Sequence, residues 1–330
     1  MFNFAKIMKN FLLDFLKNKP LILAPMEGIN DIAFRELCLQ FGADATVTEF
    51  ISSEALVRDV EKSFNKIQKS PLDPFLWVQI FGHDVLSMQK AAEKVIEHGG
   101  EVIDLNFGCP VKKIVSKGAG AALLKELNKL EEIAKNVVKI SPVPVTAKIR
   151  LGWDEGSINV EETVMRLQNA GITAVTVHAR TRSQMYSGKA RWEFIEQLTS
   201  NPNIQIPIIG NGDITDGPSA EKAFQRTQVA GLMIGRAAIG NPFIFYQIKH
   251  FLKHHEEKKF TFEERKNVFL YHLQKITAIK GERKGIIELR QHIAQYFKAF
   301  PHFKETKIKL LQAESVSEIE QILATYEPSI

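Results

Sequence analysis

The 330-residue chain contains only two cysteines, Cys38 and Cys109. Small secreted scaffolds rely on an even set of paired cysteines, so a disulfide framework is excluded and a reducing, cytoplasmic setting is expected. Neither cysteine has a second thiol at ligand spacing, so no metal cluster is expected. No uncharged stretch approaches the roughly 20 residues that a membrane span needs, and no membrane partner is expected. The N-terminal MFNFAKIMKNFLLDFLKNKP is apolar, but Lys6, Lys9, Asp14 and Lys17 interrupt it and no small-residue cleavage site follows. It reads as a segment capping the fold from below, not as a signal peptide. A G-x-G-x-x-G after the first apolar run is missing too, which argues against a dinucleotide-binding open sheet.

What the chain does have is a repeated pattern. Eight short apolar, β-branched runs recur: LILAP (21–25), ATVTEF (45–50), FLWVQIF (75–81), EVIDLNF (101–107), PVTAKIR (144–150), AVTVHAR (174–180), PIIGNGD (207–213) and GLMIGRA (231–237). They are continuous rather than alternating, as buried parallel strands are. Amphipathic segments separate them, among them DVLSMQKAAEKVIEHGG, NVEETVMRLQNAG and DGPSAEKAFQRTQVAG, which close on glycine in the manner of helix C-caps. Eight such units predict an α/β fold, a closed (β/α)8 TIM barrel over residues 1–252. Beyond residue 253 the strand signal fades. HLQKITAIK, ELRQHIAQYFKAF and SVSEIEQILATY predict a small C-terminal all-α domain over 253–330, the last helix capped by Ser317 with Glu320 three residues on.

Charge is unevenly distributed. The net charge is +5, yet Lys249 to Leu310 alone hold 15 Lys/Arg against 7 Asp/Glu. A surplus of +8 in the helical stretch points to a phosphate-rich partner, although a solvated helical surface has the same composition.

Barrel active sites form where strands end at their C-terminal side, and unusual residues collect at those ends. They are Pro25, Met26, Glu27 and Gly28 after the first run, Glu49 after the second, Gln79 in the third, and Asn106 and Cys109 after the fourth. Lys148 and Arg150 follow on the fifth, His178 and Arg180 on the sixth, Asn211, Gly212 and Asp213 on the seventh, and Gly235 and Arg236 on the eighth. A polar side chain on a core strand costs a few kcal/mol if unpaired, so eight such ends suggest a shared ligand. Glycines after the last two strands let backbone N–H groups approach a phosphate, and Arg236 adds charge-assisted hydrogen bonds.

Lys148 and His178 stand on neighbouring strands. Such a lysine either forms a Schiff base or supplies positive charge beside an anionic ring, and such a histidine is either a ligand contact or a satisfied core residue. Gln79 and Asn106 suit a flat heterocycle with amide donors and acceptors. Cys109, between Gly108 and Pro110, is predicted on an exposed turn. With no base predicted beside it, a general acid is favoured over a nucleophile. Cys38, in AFRELCLQFG, reads as core.

Together these residues resemble the tRNA-dihydrouridine synthase family. The matching segments are APMEGINDIAFR (24–35), TEF (48–50), VQIFG (78–82), DLNFGCPVKKIVSKGAGAALL (104–124), AKIRLGW (147–153), VHARTRSQMYSGKARW (177–192), PIIGNGDI (207–214) and MIGRAAIGNP (233–242). The resemblance implies FMN as cofactor and NADPH as reductant. Pro25, Met26 and Glu27 line the flavin, while Gln79, Asn106, Lys148 and His178 contact its rings and ribityl chain. Asn211, Gly212, Asp213, Gly235 and Arg236 hold the phosphate end. It further implies hydride transfer to uracil C6, protonation of C5 by Cys109, and a tRNA substrate engaged near its D-loop and elbow by a monomeric enzyme. Lys112, Lys113, Lys117, Arg180, Arg182, Lys189 and Arg191 are candidates to extend the RNA track. Glu27 and Phe107 depart from the commoner family residues without removing a functional group; Glu27 and the looser match over 253–330 leave the subfamily, and the chosen uridine, open. The competing reading is an FMN barrel reductase of a small pyrimidine-like molecule, similar to dihydroorotate dehydrogenase. It leaves the charged C-terminal helices without a role.

Overall fold

The computed structural model describes residues 2–298 and 300–326. Its strands are β1 (Leu21–Leu23), β2 (Ala45–Thr46), β3 (Ile51–Ser52), β4 (Trp77–Phe81), β5 (Val102–Asn106), β6 (Val145–Arg150), β7 (Ala174–His178), β8 (Ile208–Asn211) and β9 (Gly231–Ile234). All pair in parallel, in the order β2-β1-β9-β8-β7-β6-β5-β4-β3. The ends of that order meet. Val47, just past β2, bridges to Trp77 at the start of β4, and Thr48 N–H donates to Trp77 O at 3.0 Å. The sheet is therefore a closed TIM barrel, and β2 and β3 are two pieces of one barrel strand. The predicted strand 45–50 breaks because Thr48 turns its hydroxyl into the ladder, where Oγ1 accepts from Gln79 N at 3.3 Å.

Helices cover the barrel as the apolar periodicity predicts. Val85–Glu97 buries Met88, Ala91, Ala92 and Val95 along one face, and Val160–Asn169 buries Val160, Val164 and Leu167. The turns after these two carry Gly99 and Gly171 at φ +87° and +91°. The third glycine-closed segment differs. Its helix ends at Arg226, and Gly231 instead opens β9.

The N-terminal helix Phe2–Lys17 plugs the bottom of the barrel. Leu12 and Leu16 are buried among Ile22, Ala45, Trp77, Val102, Ala174 and Met233, and Phe15 meets Phe75 edge-on at 5.1 Å. Sealing that end leaves the opposite mouth as the open one. No helix among the described residues is long and apolar enough to cross a membrane.

Past the barrel, helices Phe262–Lys280, Glu282–Tyr296, Phe303–Gln312 and Val316–Ala324 gather around their own apolar core. Phe262, Phe269, Leu289, Tyr296, Phe297, Phe303 and Leu323 build it. The last helix starts two residues earlier than the sequence suggests. Ser315, not Ser317, is the cap, with Oγ accepting from Glu318 N at 3.2 Å, so Glu318 takes the place expected of Glu320.

The helical unit is latched to the rim of the barrel mouth. Phe34 lies against the rings of His292 and His272, with centroids at 4.6 and 5.6 Å. Lys280 pairs with Asp31 at 3.0 Å and Lys275 with Glu36 at 2.9 Å, while at the opposite end of the barrel Lys249, in helix Ile244–His254, pairs with Asp44 just before β2 at 2.6 Å. Part of the C-terminal positive surplus is thus spent on barrel carboxylates. At Gly240, φ is +58° and an added Cβ would sit 2.1 Å from His292 O.

Candidate active site

The register of the parallel ladder brings the polar strand ends together. Asn106 lies opposite Lys148, Arg150 opposite His178, and His178 opposite Asn211. All sit at the C-terminal ends of their strands, on the face away from the N-terminal plug.

Lys148 is the centre of the group. Its Nζ donates to Asn211 Oδ1 at 3.0 Å, and Asn211 Nδ2 in turn donates to Met233 O at 2.7 Å. Burial, reinforced by the neighbouring charge of Arg150, pushes the Lys148 ammonium down to about 8. His178 is held well below the usual imidazole range, first by burial and then by Lys148, Arg150, Arg180 and Arg236 around it. It is therefore neutral. Its Nε2 lies 3.5 Å from Arg180 Nη1, where an unprotonated nitrogen faces a donor.

Arg150 is spent on the backbone. Nε donates to Gly108 O at 2.9 Å, and Nη1 donates to Thr181 O and Met185 O at 2.8 Å each. It ties the Cys109 loop to the loop after β7. Arg180 is buried and donates from Nη2 to both oxygens of Asp213, at 2.8 and 2.7 Å. It is not a surface residue on an RNA track, as the sequence suggested, but an internal partner. Arg191, another candidate for that track, pairs with Glu155 at 2.7 Å. Lys112, Lys113, Lys117 and Lys189 are exposed.

Asp213 also accepts from Arg236 Nη2 at 3.2 Å, so it orients two guanidinium groups. Arg236 lies over the Tyr186 ring at 4.7 Å, and its side chain stays about half exposed (49%). Gly212 O accepts from Trp192 Nε1 at 3.0 Å. Gly235 adjoins the Met26 sulfur, which an added Cβ would meet at 3.7 Å. Pro25 and Met26 are half-buried, and Glu27 is exposed and paired with Lys66 at 2.7 Å. Lys66 reaches Glu49 as well, at 3.6 Å, and Glu49 accepts from Gly28 N.

Cys109 differs from expectation. It is buried, with 8% of its surface exposed, among Ile114, Ala119, Phe50 and Phe81. Pro110 is buried with it, and the segment after residue 118 folds back so that Ala121 N donates to Cys109 O at 3.0 Å. Flanking Gly and Pro mark the turn correctly but say nothing of the distant chain that covers it. Burial pushes the thiol up, against an opposing hydrogen bond from Val111 N–H and the charges of Arg150 and Lys148. A cavity of about 570 Å³ opens beside this cluster, lined by Phe50, Phe81, Lys66, His83, Lys113 and Ile114, among others.

Gln79 also departs from its predicted place. It has no exposed surface. Its Nε2 donates to Asp104 Oδ2 at 2.6 Å, and its Oε1 accepts from Asn106 Nδ2 at 2.8 Å. It lies under Asn106 rather than at the wall of the mouth. Asp104 is the residue that strand-end reasoning missed, a fully buried carboxylate pushed up to about 6 by burial. Its signal was present, an aspartate inside an apolar run. Tyr186 and Lys66 gave no comparable sequence signal.

The mouth of the barrel thus holds Lys148, Arg150, Arg180 and Arg236, the last two paired with Asp213, with a neutral histidine and a buried thiol beside them. Crowded cations of this kind suit an anionic ligand. They belong to a (β/α)8-barrel enzyme whose mouth is cationic. More particularly, residues 22–328 match the family described as "Dihydrouridine synthase (Dus)", and the chain belongs to it. It is 40% identical over 282 residues to the tRNA-dihydrouridine synthase B of Shewanella oneidensis, covering 85% of this chain and 87% of that one. It is 38% identical over 286 residues to the tRNA-dihydrouridine synthase B of Pseudomonas aeruginosa, covering 86% of each. Among solved structures, histamine dehydrogenase from Rhizobium sp. 4-9 shares the fold with TM-score 0.56 at 11% identity, over 77% of this chain and 48% of that one.

Proposed function

We propose that this chain is a tRNA-dihydrouridine synthase: it reduces the C5–C6 double bond of a uridine in the D-loop of tRNA, with FMN as cofactor and NADPH as reductant. The observation that carries the reading is the pairing of a buried, protonated thiol at Cys109 with the cationic mouth centred on Lys148.

The residues fit FMN. Among the described residues the hydrogen-bond partner of Lys148 is the neutral amide of Asn211, and a buried ammonium with no carboxylate partner suits an anionic ligand. Arg236, oriented by Asp213, and the backbone of Gly212 and Gly235 would hold the phosphate. Asn106, Lys148, His178 and Asn211 would meet the ring system and ribityl chain, with Pro25 and Met26 packing from the β1 side. Glu27 would close that side of the mouth through Lys66, and Gln79 would act through Asn106. Bound FMN, once reduced by NADPH, supplies the hydride for C6 of the uracil.

Cys109 supplies the proton for C5. A thiol held up by burial is protonated at neutral pH and so is a ready acid. The groups that oppose its upward shift, the Val111 N–H and the charges of Arg150 and Lys148, stabilise the thiolate left behind. The target base has to leave its stack to reach the mouth, at a cost of a few kcal/mol. Exposed cations on the C-terminal helices, such as Lys304 and Lys309, and on the Cys109 loop, such as Lys112 and Lys113, would offset it by contacting phosphates. A monomer working in the cytoplasm, with residues 1–252 catalytic and 253–330 RNA-binding, completes the reading.

The test is direct. Purified protein with FMN, NADPH and a tRNA transcript lacking modifications is expected to convert D-loop uridine to dihydrouridine, read by mass spectrometry. NADPH consumed without any dihydrouridine formed would sink the assignment.

A further inference from the structure

We propose that Asp104 is a positioning residue for Cys109, acting through the amides of Gln79 and Asn106. This rests on the reading of Cys109 as the proton donor.

Five hydrogen-bonded steps run in series from the barrel interior to the catalytic loop. Thr146 Oγ1 donates to Asp104 Oδ1 at 2.6 Å, and Trp77 Nε1 donates to Thr146 Oγ1 at 3.0 Å. Gln79 Nε2 donates to Asp104 Oδ2 at 2.6 Å, and Asn106 Nδ2 donates to Gln79 Oε1 at 2.8 Å. Asn106 Oδ1 then accepts from two backbone N–H groups, Gly108 at 3.1 Å and Cys109 at 2.9 Å.

The polarity of this chain has one solution. An ionised carboxylate only accepts, so Gln79 must turn its NH2 toward Asp104 and its oxygen toward Asn106. Asn106 must then turn its NH2 down and its oxygen up. The upper end demands the same, because backbone N–H groups only donate. Two amides that could each flip are thus fixed from both ends, by the charge at the base and by the two N–H donors at the top. All three side chains are buried, so water does not repair a mismatch. Gly108, held at this end, also gives its carbonyl to Arg150, so the relay anchors both backbone faces of the loop.

Replacing Asp104 by Asn breaks the logic. Thr146 Oγ1 has a second acceptor in Ile103 O at 3.3 Å, but its 2.6 Å bond to the side chain at 104 is the shorter, and keeping it on the new oxygen leaves an NH2 facing Gln79. Gln79 then flips, Asn106 follows, and an NH2 faces two N–H donors. The exchanged pair, Gln79→Glu with Asp104→Asn, restores it. The new Asn donates to the new Glu, and the Glu accepts from Asn106, with net charge and hydrogen-bond count unchanged.

The experiment compares full-length wild-type, D104N, Q79E and Q79E/D104N proteins, with and without FMN. Hydrogen exchange at the Gly108 and Cys109 amides and iodoacetamide alkylation of Cys109 read the loop without turnover; fully buried Cys38 is the internal control. Each single variant is expected to speed exchange and alkylation roughly tenfold, the effect of losing about one buried hydrogen bond, and to slow tRNA-dependent flavin oxidation. The double variant is expected to return to within about twofold of wild type. Unchanged exchange in D104N, or no recovery in the double variant, overturns the proposal. If both singles fail to fold, a folded double variant with protected amides supports it and an unfolded one overturns it. The expected exchange pattern in a protein that never reduces uridine would sink the functional reading and leave this one standing.

Discussion

Lys148 on β6 reaches across β7 to donate to Asn211 on β8, with Nζ 3.0 Å from Oδ1. The bond spans the neutral ring of His178 on the strand between and leaves the ammonium with a neutral acceptor. Burial, and then the charge of Arg150, hold its proton less tightly than in water, at about 8.

Removing that charge should therefore separate stability from function. In the flavin-free protein at neutral pH, Lys148→Met relieves a buried charge and gives up one hydrogen bond. The net change expected is neutral to about 2 kcal/mol stabilising. FMN retention, read by the visible absorbance of the purified protein, should fall. A variant that loses stability and keeps its flavin would contradict the role given to Lys148.

Cys109→Ala should slow tRNA reduction by roughly 10²- to 10⁴-fold, the usual share of a general acid. Stopped-flow reduction of the flavin by NADPH should be unaffected, and tRNA binding should persist. Because burial raises the thiol, wild-type activity should hold through neutral pH and decline only on the alkaline side, above the ordinary thiol value. A decline centred well below that value would argue for a thiolate nucleophile.

The junction between barrel and helices should be acid-labile. Burial holds His272 down at about 3 and His292 well below the usual range, so both are neutral in the folded chain. The unfolded chain binds more protons below about 6.5, so their contribution is complete above that pH and is lost as pH falls toward 3. Each imidazole adds up to about 1.4 kcal/mol per pH unit to the slope. Thermal melts between about pH 8 and pH 5 should show this fall, and His272→Asn should flatten it.

Gly240→Ala should loosen the same junction. The positive φ and the close approach of His292 O leave no room for a Cβ, and Gly240 N–H also donates to His292 Nδ1 at 3.0 Å. A cost of about 2–4 kcal/mol is expected in denaturant melts. Limited proteolysis should release the C-terminal helices first, and tRNA affinity should drop more than FMN affinity.

Not every C-terminal cation serves RNA equally. Lys249, Lys275 and Lys280 are committed to barrel carboxylates, whereas no ion pair among the described residues involves Lys304, Lys307 or Lys309. The triple change to Glu on Lys304, Lys307 and Lys309 should weaken tRNA binding and lower the slope of log affinity against log salt by roughly two to three. Charge removal at Lys249 should act mainly on stability. Equal effects on binding from both would refute the division.

Much of this architecture is written in local pattern. Continuous β-branched runs and 3.6-residue periodicity identify the barrel, since each strand is buried on both faces and each helix on one. Strand-end polarity finds Asn106, Lys148, His178, Asn211 and Arg236, because a polar group on a core strand needs a partner. What local pattern does not carry is which partner. Gly-Cys-Pro marks a turn at Cys109 but not its burial beneath Phe50, Phe81 and Ile114. Arg180 looks the same in sequence whether it faces RNA or Asp213. Gln79 and Asn106 are both amides on neighbouring strands, and nothing local says that one lies beneath the other.

The sequence by itself determined the class of fold, the end of the barrel that would be chemical, and the family. These follow from periodicity, glycine placement and residue type, which act over a few positions at a time. The tertiary structure alone decided that Asp104 lies beneath Gln79 and Asn106, that the thiol is shielded and so protonated, and that Arg180, one of the expected RNA-facing arginines, is spent inside. Those outcomes depend on ladder register and on desolvation, and both are set by chain segments 25 to 100 residues apart.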